Sequence, residues 1–194
     1  NFGIGYKNKI PWNLKKDLKY FKKLTIGNGN NAIIMGKNTW KSLPIENLPK
    51  RENLILSKKE KGENIFENVN LLEKYCKKKK FEDLWIIGGE EIYKHFINSN
   101  KVTYIYSTEI DKEFKCDTFF PIISKEFELI NSKKEYDKKI KLNYYFNIYK
   151  NKNIKIKLSI YFLFQWINPF LHLCRNMDYH LFPYHNTFLI FFRN

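Results

Sequence analysis

Three short runs of uninterrupted apolar residues constrain this chain more than anything else in it: Ala32-Ile33-Ile34-Met35, Leu54-Ile55-Leu56 and Leu84-Trp85-Ile86-Ile87. Each reads as a buried strand. Helical patterns separate them, over Lys37–Leu43, from Val69 to Lys77-Lys78-Lys79-Lys80, and after Gly89, with a brief strand at Ile65-Phe66. Past residue 100 only strands follow: Val102–Thr108, Glu128–Ser132 and Lys139–Tyr149. Strands alternating with helices, then strands alone, predict an α/β domain whose central sheet is mostly parallel, with antiparallel strands near its C-terminus.

Ahead of the first buried strand, Leu14, Leu18, Phe21 and Leu24 recur at helical spacing, and Pro11 suits the start of that helix. Lysines fill most of the other face. Asp17 breaks the division, because its spacing from Leu14 and Phe21 points it along the apolar stripe. A desolvated carboxylate suits a closed pocket for a cationic or amide-like ligand; a solvated ion pair with a lysine is the plainer alternative. Asn1–Lys9 reads as a flexible loop with Gly3 and Gly5 as turn points.

Two strand-to-helix junctions carry a second signal. Met35-Gly36-Lys37-Asn38-Thr39 and Ile87-Gly88-Gly89-Glu90-Glu91 each pass from an apolar strand through glycine into a helix. Glycine lets backbone approach a ligand closely, and free N–H groups beyond it favour phosphate. Neither is the GxGxxG fingerprint, so a standard Rossmann site is not indicated. The net charge of +15 permits polyanions without choosing among them. Lys, Asn, Ile, Tyr and Phe are the residues of AT-rich codons, and no nucleic-acid motif accompanies the charge. Cys76, Cys116 and Cys174 have no CxxC or Cys/His spacing, so no metal site is expected, and free thiols fit a reducing cytoplasm.

Taken together these residues resemble the dihydrofolate reductase family. The blocks that carry the likeness are Gly5 through Ile10-Pro11-Trp12-Asn13-Leu14 with Asp17 and Phe21, Ile34–Trp40, Leu48–Asn53, Leu54–Ser57, Ile86–Tyr93, Thr108 with Ile110-Asp111, and Asp117–Pro121. Their order and spacing match over residues 1–150, closer to bacterial-type single-domain enzymes than to the form fused to thymidylate synthase. The resemblance implies a three-layer fold and reduction of 7,8-dihydrofolate to tetrahydrofolate by NADPH, in a cytoplasmic monomer that needs no nucleic acid or membrane.

It also implies roles. Asp17, Ile10, Trp12 and Thr108 form the catalytic set. Asp17 accepts hydrogen bonds from the pterin, Thr108 braces it through water, and Ile10 covers the reacting face. Leu18, Phe21 and Leu48 wall the substrate, and Arg51 takes its glutamate carboxylate. Gly36, Lys37, Asn38 and Thr39 hold cofactor phosphates. Ser57 and Lys58 read the 2′-phosphate. Ile87, Gly88, Gly89, Glu90, Glu91, Ile92 and Tyr93 flank the pyrophosphate, with a cis peptide between the glycines. Gly5 and Asn8 belong to the loop, ending at Pro11, that closes over nicotinamide.

Two departures stand out. The family has a first strand before residue 1, within the sheet, which is missing here; the chain starts at Asn1, not Met, and reads as part of a longer one. A sheet lacking an interior strand is expected to be unstable or inactive. From residue 151 to 194 an aromatic-rich tail matches nothing in the family and is expected not to pack on the domain. Its apolar run Leu158–Cys174, broken by Gln165, Asn168 and Pro169, is short for a membrane anchor. Three other readings stay open. One is an inactive fragment retaining at most nucleotide binding. Another is the pyrimidine reductase of riboflavin synthesis, against which Asp17 and Arg51 argue. The third is a basic nucleic-acid binder, resting on charge alone.

Overall fold

A computed structural model describes residues 2–154 and the backbone of His185–Phe192. The elements are β1 (Gly3–Gly5), α1 (Lys15–Ile26), β2 (Asn31–Gly36), α2 (Lys37–Ser42), β3 (Glu52–Leu56), β4 (Ile65–Phe66) and α3 (Val69–Lys79). They continue with β5 (Asp83–Gly88), α4 (Glu90–Ile97), β6 (Tyr104–Ile110), β7 (Thr118–Phe119), β8 (Phe127–Asp137), β9 (Leu142–Asn151) and β10 (His185–Phe192).

Eight strands form one sheet in the order β4-β3-β2-β5-β10-β6-β9-β8, and β1 pairs with β7 in a small second sheet. The β4-β3-β2-β5 half is parallel. From β5 onward each neighbour is antiparallel. The central strands are apolar without interruption because both faces are covered. Ala32, Ile34, Leu54, Leu84 and Ile86 pack on one side with Leu72 and Cys76 of α3 and Phe96 of α4. Ile33, Met35, Ile55 and Trp85 pack on the other with Leu24 and Phe21 of α1 and Trp40 of α2. Adjacent residues of one strand thus serve opposite cores, which makes three layers.

Four details differ from the sequence reading. First, α1 begins at Lys15, with Leu14 as its N-cap, so Pro11 lies in the preceding loop. Second, Gly3 and Gly5 sit in β1 rather than at turns. The turn falls at Lys7-Asn8, both at positive φ (49° and 59°), closed by reciprocal Tyr6 and Lys9 backbone bonds of 2.9 and 3.0 Å. Two consecutive left-handed residues are what a tight hairpin requires. Third, β8 runs to Asp137, well past Ser132, because its outer face is edge and tolerates polar residues.

The fourth difference is the largest. The sheet is not short of an interior strand, and the tail does not stand apart from it: β10 fills the position between β5 and β6. Ile190–Phe192 pair with Ile86–Leu84, and His185–Phe191 pair with Ile110–Tyr104. Its backbone meets β6 along His185–Phe191 and β5 along Ile190–Phe192, so it takes up N–H and C=O groups that an open slot would leave unmet there. The apolar run Leu158–Cys174 lies outside the described residues.

Candidate active site

A cleft of about 1010 Å³ opens at the end of the parallel strands, where β2, β3 and β5 give way to their helices and loops. Open parallel sheets bind ligands at this edge. One end is lined by α1 and the loop before β3; the other by the two glycine junctions and the turn after β3.

At the α1 end, Asp17 lies on the cleft wall yet is only 6% exposed, whereas its neighbour Leu18 is 54% exposed. The helix phase turns the acid inward and the leucine over the cavity. Thr108 Oγ1 donates to Asp17 Oδ1 at 2.6 Å, a direct bond where a water bridge was expected. β6 holds that threonine: Thr108 lies between Phe146 of β9 and Thr187 of β10 in the sheet register. A buried carboxylate held by a hydroxyl, facing an apolar cleft, is arranged to meet a donor-rich cationic or amide group.

Arg51, 9% exposed, borders the same end. Its guanidinium carbon lies 5.6 Å from the Phe21 ring centre, and Nη1 donates to Thr25 Oγ1. Nε is buried and has no partner among the described residues. Desolvation lowers the Arg51 pKa from its ordinary value, so the charge is held in a place where an incoming carboxylate relieves a cost. Leu48, Pro49 and Arg51 are presented by a loop that Asn53 fixes. Asn53 Nδ2 donates to the Leu48 and Arg51 carbonyls at 2.9 and 3.0 Å, and its Oδ1 accepts from Leu48 N at 2.9 Å.

At the other end the backbone is pressed close. The Gly88–Gly89 peptide is cis, and Gly88 has φ +112°. A Cβ on Gly88 would meet the Tyr93 ring at 3.1 Å, one on Gly89 would meet Thr39 Oγ1 at 3.2 Å, and one on Gly36 would meet Ile92 at 3.1 Å. The two junctions therefore touch each other and make one glycine-walled cradle. Lys37, Asn38, Thr39, Ser57, Lys58 and Lys59 rim it. Among the described residues, no ion pair involves Lys37, Lys58 or Lys59. A bare backbone cradle ringed by lysines and hydroxyls fits a phosphorylated dinucleotide.

The loop after β1 closes the side between the two ends. Gly5, Asn8 and Ile10 line the cleft, and Ile10 is 55% exposed over it. Lys7 N donates to Asp117 Oδ2 at 2.9 Å, and Asp117 N returns a bond to Gly5 O at 3.0 Å. The Lys7 N–H holds the Asp117 carboxyl below the ordinary range.

Nearly all the residues expected at the site meet here. Trp12, Thr108 and Gly88 stand behind the lining. Trp12 packs on Phe114 at 5.3 Å, with Nε1 buried and unpartnered among the described residues. Among the lining residues that sequence reasoning missed are Ser42, Pro44, Ile45, Lys59 and Thr118. Pro44 and Pro49 bracket the loop that carries Ile45, and that punctuation was the available signal.

The sequence model described as dihydrofolate reductase matches residues 1–151. Curated relatives of that name are similar along most of their length. One from Heliothis virescens is 36% identical over 169 residues, 77% of this chain and 91% of the relative. One from Buchnera aphidicola is 36% identical over 163 residues, 83% of this chain and 88% of the relative. One from Candida albicans is 38% identical over 138 residues, 63% of this chain and 72% of the relative.

Proposed function

The chain belongs to the dihydrofolate reductase family, and from that premise we infer that it reduces 7,8-dihydrofolate to 5,6,7,8-tetrahydrofolate with NADPH as the dinucleotide. The observation that carries this reading is Asp17, buried in the wall of an apolar cleft with Thr108 on one oxygen. When bound, the reduced nicotinamide supplies the hydride.

The protein's own part is binding, orientation and exclusion of water. Asp17 takes the amino group and ring N–H of the pterin, which fixes the ring's tilt and register in the cleft. Leu18, Phe21 and Leu48 cover the rings, and Arg51 takes the substrate carboxylate at the rim. Gly36, Gly88 and Gly89 admit the pyrophosphate against backbone, with Lys37, Asn38 and Thr39 beside it and Ile87, Ile92 and Tyr93 shaping the cradle. Ser57 and Lys58 face the 2′-phosphate. Ile10 comes down over the reacting face, and the dry cleft strengthens the field of the carboxylate on the pterin. The proton added to the substrate reaches it from water; Asp17 tunes the ring and orders that water. The buried thiol of Cys76, outside any disulfide, supports a reducing cytoplasm as the compartment.

The test is NADPH oxidation that depends on added dihydrofolate, with Asp17→Asn as the control. Turnover in the wild type that falls about a hundredfold or more in the variant is the expected result, the scale on which a buried charge acting on a transition state registers. Equal rates in the two proteins would remove Asp17 from the mechanism.

A further inference from the structure

Glu90 and Glu91 sit on the rim of the glycine cradle, where a dinucleotide's phosphates are read to lie. Carboxylates there repel a polyanion, so they are tolerated only if engaged elsewhere. Glu91 is exposed to solvent, with Lys94 at 3.8 Å. Glu90 is engaged on both oxygens. Oε1 lies 2.7 Å from Lys94 Nζ, and Oε2 accepts from the backbone N–H of Phe119 at 2.9 Å. The second contact joins the first residue of α4 to β7, a two-residue strand on another part of the molecule.

What β7 holds gives that contact a purpose. β7 pairs with β1, Gly3 opposite Phe119 and Gly5 opposite Thr118. Phe120 N donates to Phe2 O at 2.8 Å, and Asp117 grips both Gly5 and Lys7. The loop that carries Ile10 over the cleft thus hangs from residues 117–120. Two side chains of α4 hold this segment: Glu90 by its hydrogen bond to Phe119 N, and Tyr93 by packing on Phe120 at 4.8 Å. Glu90 is the polar tie, and its links run α4, Glu90, Phe119, β7, β1 and the Ile10 loop.

We propose that Glu90 is a positioning residue for the reaction: its carboxylate ties the loop over the reacting end to the helix at the dinucleotide end, so that Ile10 is held in register with the cradle. This rests on the enzymatic reading above for its purpose but not for its geometry. Lys94 neutralises the charge, and the Phe119 N–H uses the acceptor. Glutamine keeps the acceptor and alanine loses it, which separates a tether from an electrostatic effect.

The experiment is limited trypsin digestion of the full chain, wild type beside Glu90→Ala and Glu90→Gln. Cut sites are read at Lys7 and Lys9, both exposed in the loop, and at Lys138 and Lys139 in the distant β8–β9 turn. Glu90→Ala should raise cleavage at Lys7 and Lys9 about tenfold, the change that one lost charge-assisted hydrogen bond makes to a local opening equilibrium. Cleavage at Lys138 and Lys139 should stay unchanged, and Glu90→Gln should restore the wild-type rate. Equal cleavage of wild type and Glu90→Ala would overturn the proposal. So would a Glu90→Gln protein that opens as fast as the alanine variant, or a rise of the same size at all four lysines. In the dihydrofolate assay the alanine variant should lose kcat, with the glutamine variant recovering it; a kcat equal to wild type in Glu90→Ala counts against the proposal. Trypsin reads the loop without turnover, so a wild type that reduces no dihydrofolate would count against the enzymatic reading alone.

Discussion

The contrast between Asp17 and Leu18 shows how one helical step divides a site: the acid is buried and the leucine faces the open cleft. The acid tolerates burial because Thr108 meets it. Thr108→Val keeps the shape and removes that donor. It should lower kcat/KM for dihydrofolate by about tenfold to a hundredfold, the range for a hydrogen bond to a buried charged group. A kcat/KM within twofold of wild type would mean that the bond is not carried into the reacting complex. Asp117 makes a second residue-scale prediction. The Lys7 N–H favours its charged form, so its folded pKa lies below the unfolded value near 3.8. The stability it lends to the loop is therefore fully present above that unfolded value and is lost as pH falls through the lower folded one. Carboxyl carbon NMR should place the Asp117 midpoint below 3.8; a midpoint above it would mean the loop is not anchored there in solution.

Strand β10 decides the most at the scale of elements. It lies inside the sheet, antiparallel to both neighbours, and its Thr187 stands beside the Thr108 that braces Asp17. Ile190→Pro, at a position paired with both Ile86 of β5 and Ile105 of β6, removes a ladder N–H and places a ring where a central strand has no room, a cost of about 3 kcal/mol or more. At about 2–4 °C per kcal/mol for a chain of this size, the thermal midpoint should fall by roughly 6–12 °C. An unchanged midpoint would mean that the tail does not sit in the sheet. This is also where sequence reasoning ran short. The buried runs at Ile33, Leu54 and Trp85 were legible because helical patterns and glycines bound each of them. Phe188-Leu189-Ile190-Phe191-Phe192 is as apolar, but it lies in a tail that is aromatic throughout, so no contrast marked it as a strand. β1 and β7 were hidden for another reason. Two- and three-residue strands carry no period, and only their pairing identifies them. The Asp17, Gly36 and Gly88-Gly89 positions could be read because each breaks a local pattern, an acid on an apolar stripe or glycine where a strand should continue. Phe119's bond to Glu90 could not, since a backbone donor leaves no mark in a sequence.

Charge belongs to the whole molecule. A net charge of +15 spread over lysines surrounds a cleft whose cradle end is itself rimmed by Lys37, Lys58 and Lys59. The global field draws in any anion, while the rim acts at contact range on one phosphate position. Salt separates the two, because it screens long-range attraction first and short-range pairing less. Raising ionic strength from about 0.05 M to about 0.5 M should weaken binding of both NADPH and NADH, since the shared pyrophosphate feels the whole field. If Ser57 and Lys58 grip the 2′-phosphate directly, NADPH should bind more tightly than NADH, and that preference should shrink by no more than about threefold over the same range. Fluorescence titration of each dinucleotide at the two salt concentrations measures both quantities. A preference that collapses with salt would assign the discrimination to the diffuse lysine field. In that case Lys58→Ala would leave the two affinities in the same ratio, and the basic composition of the chain would itself be the selector of the phosphorylated dinucleotide.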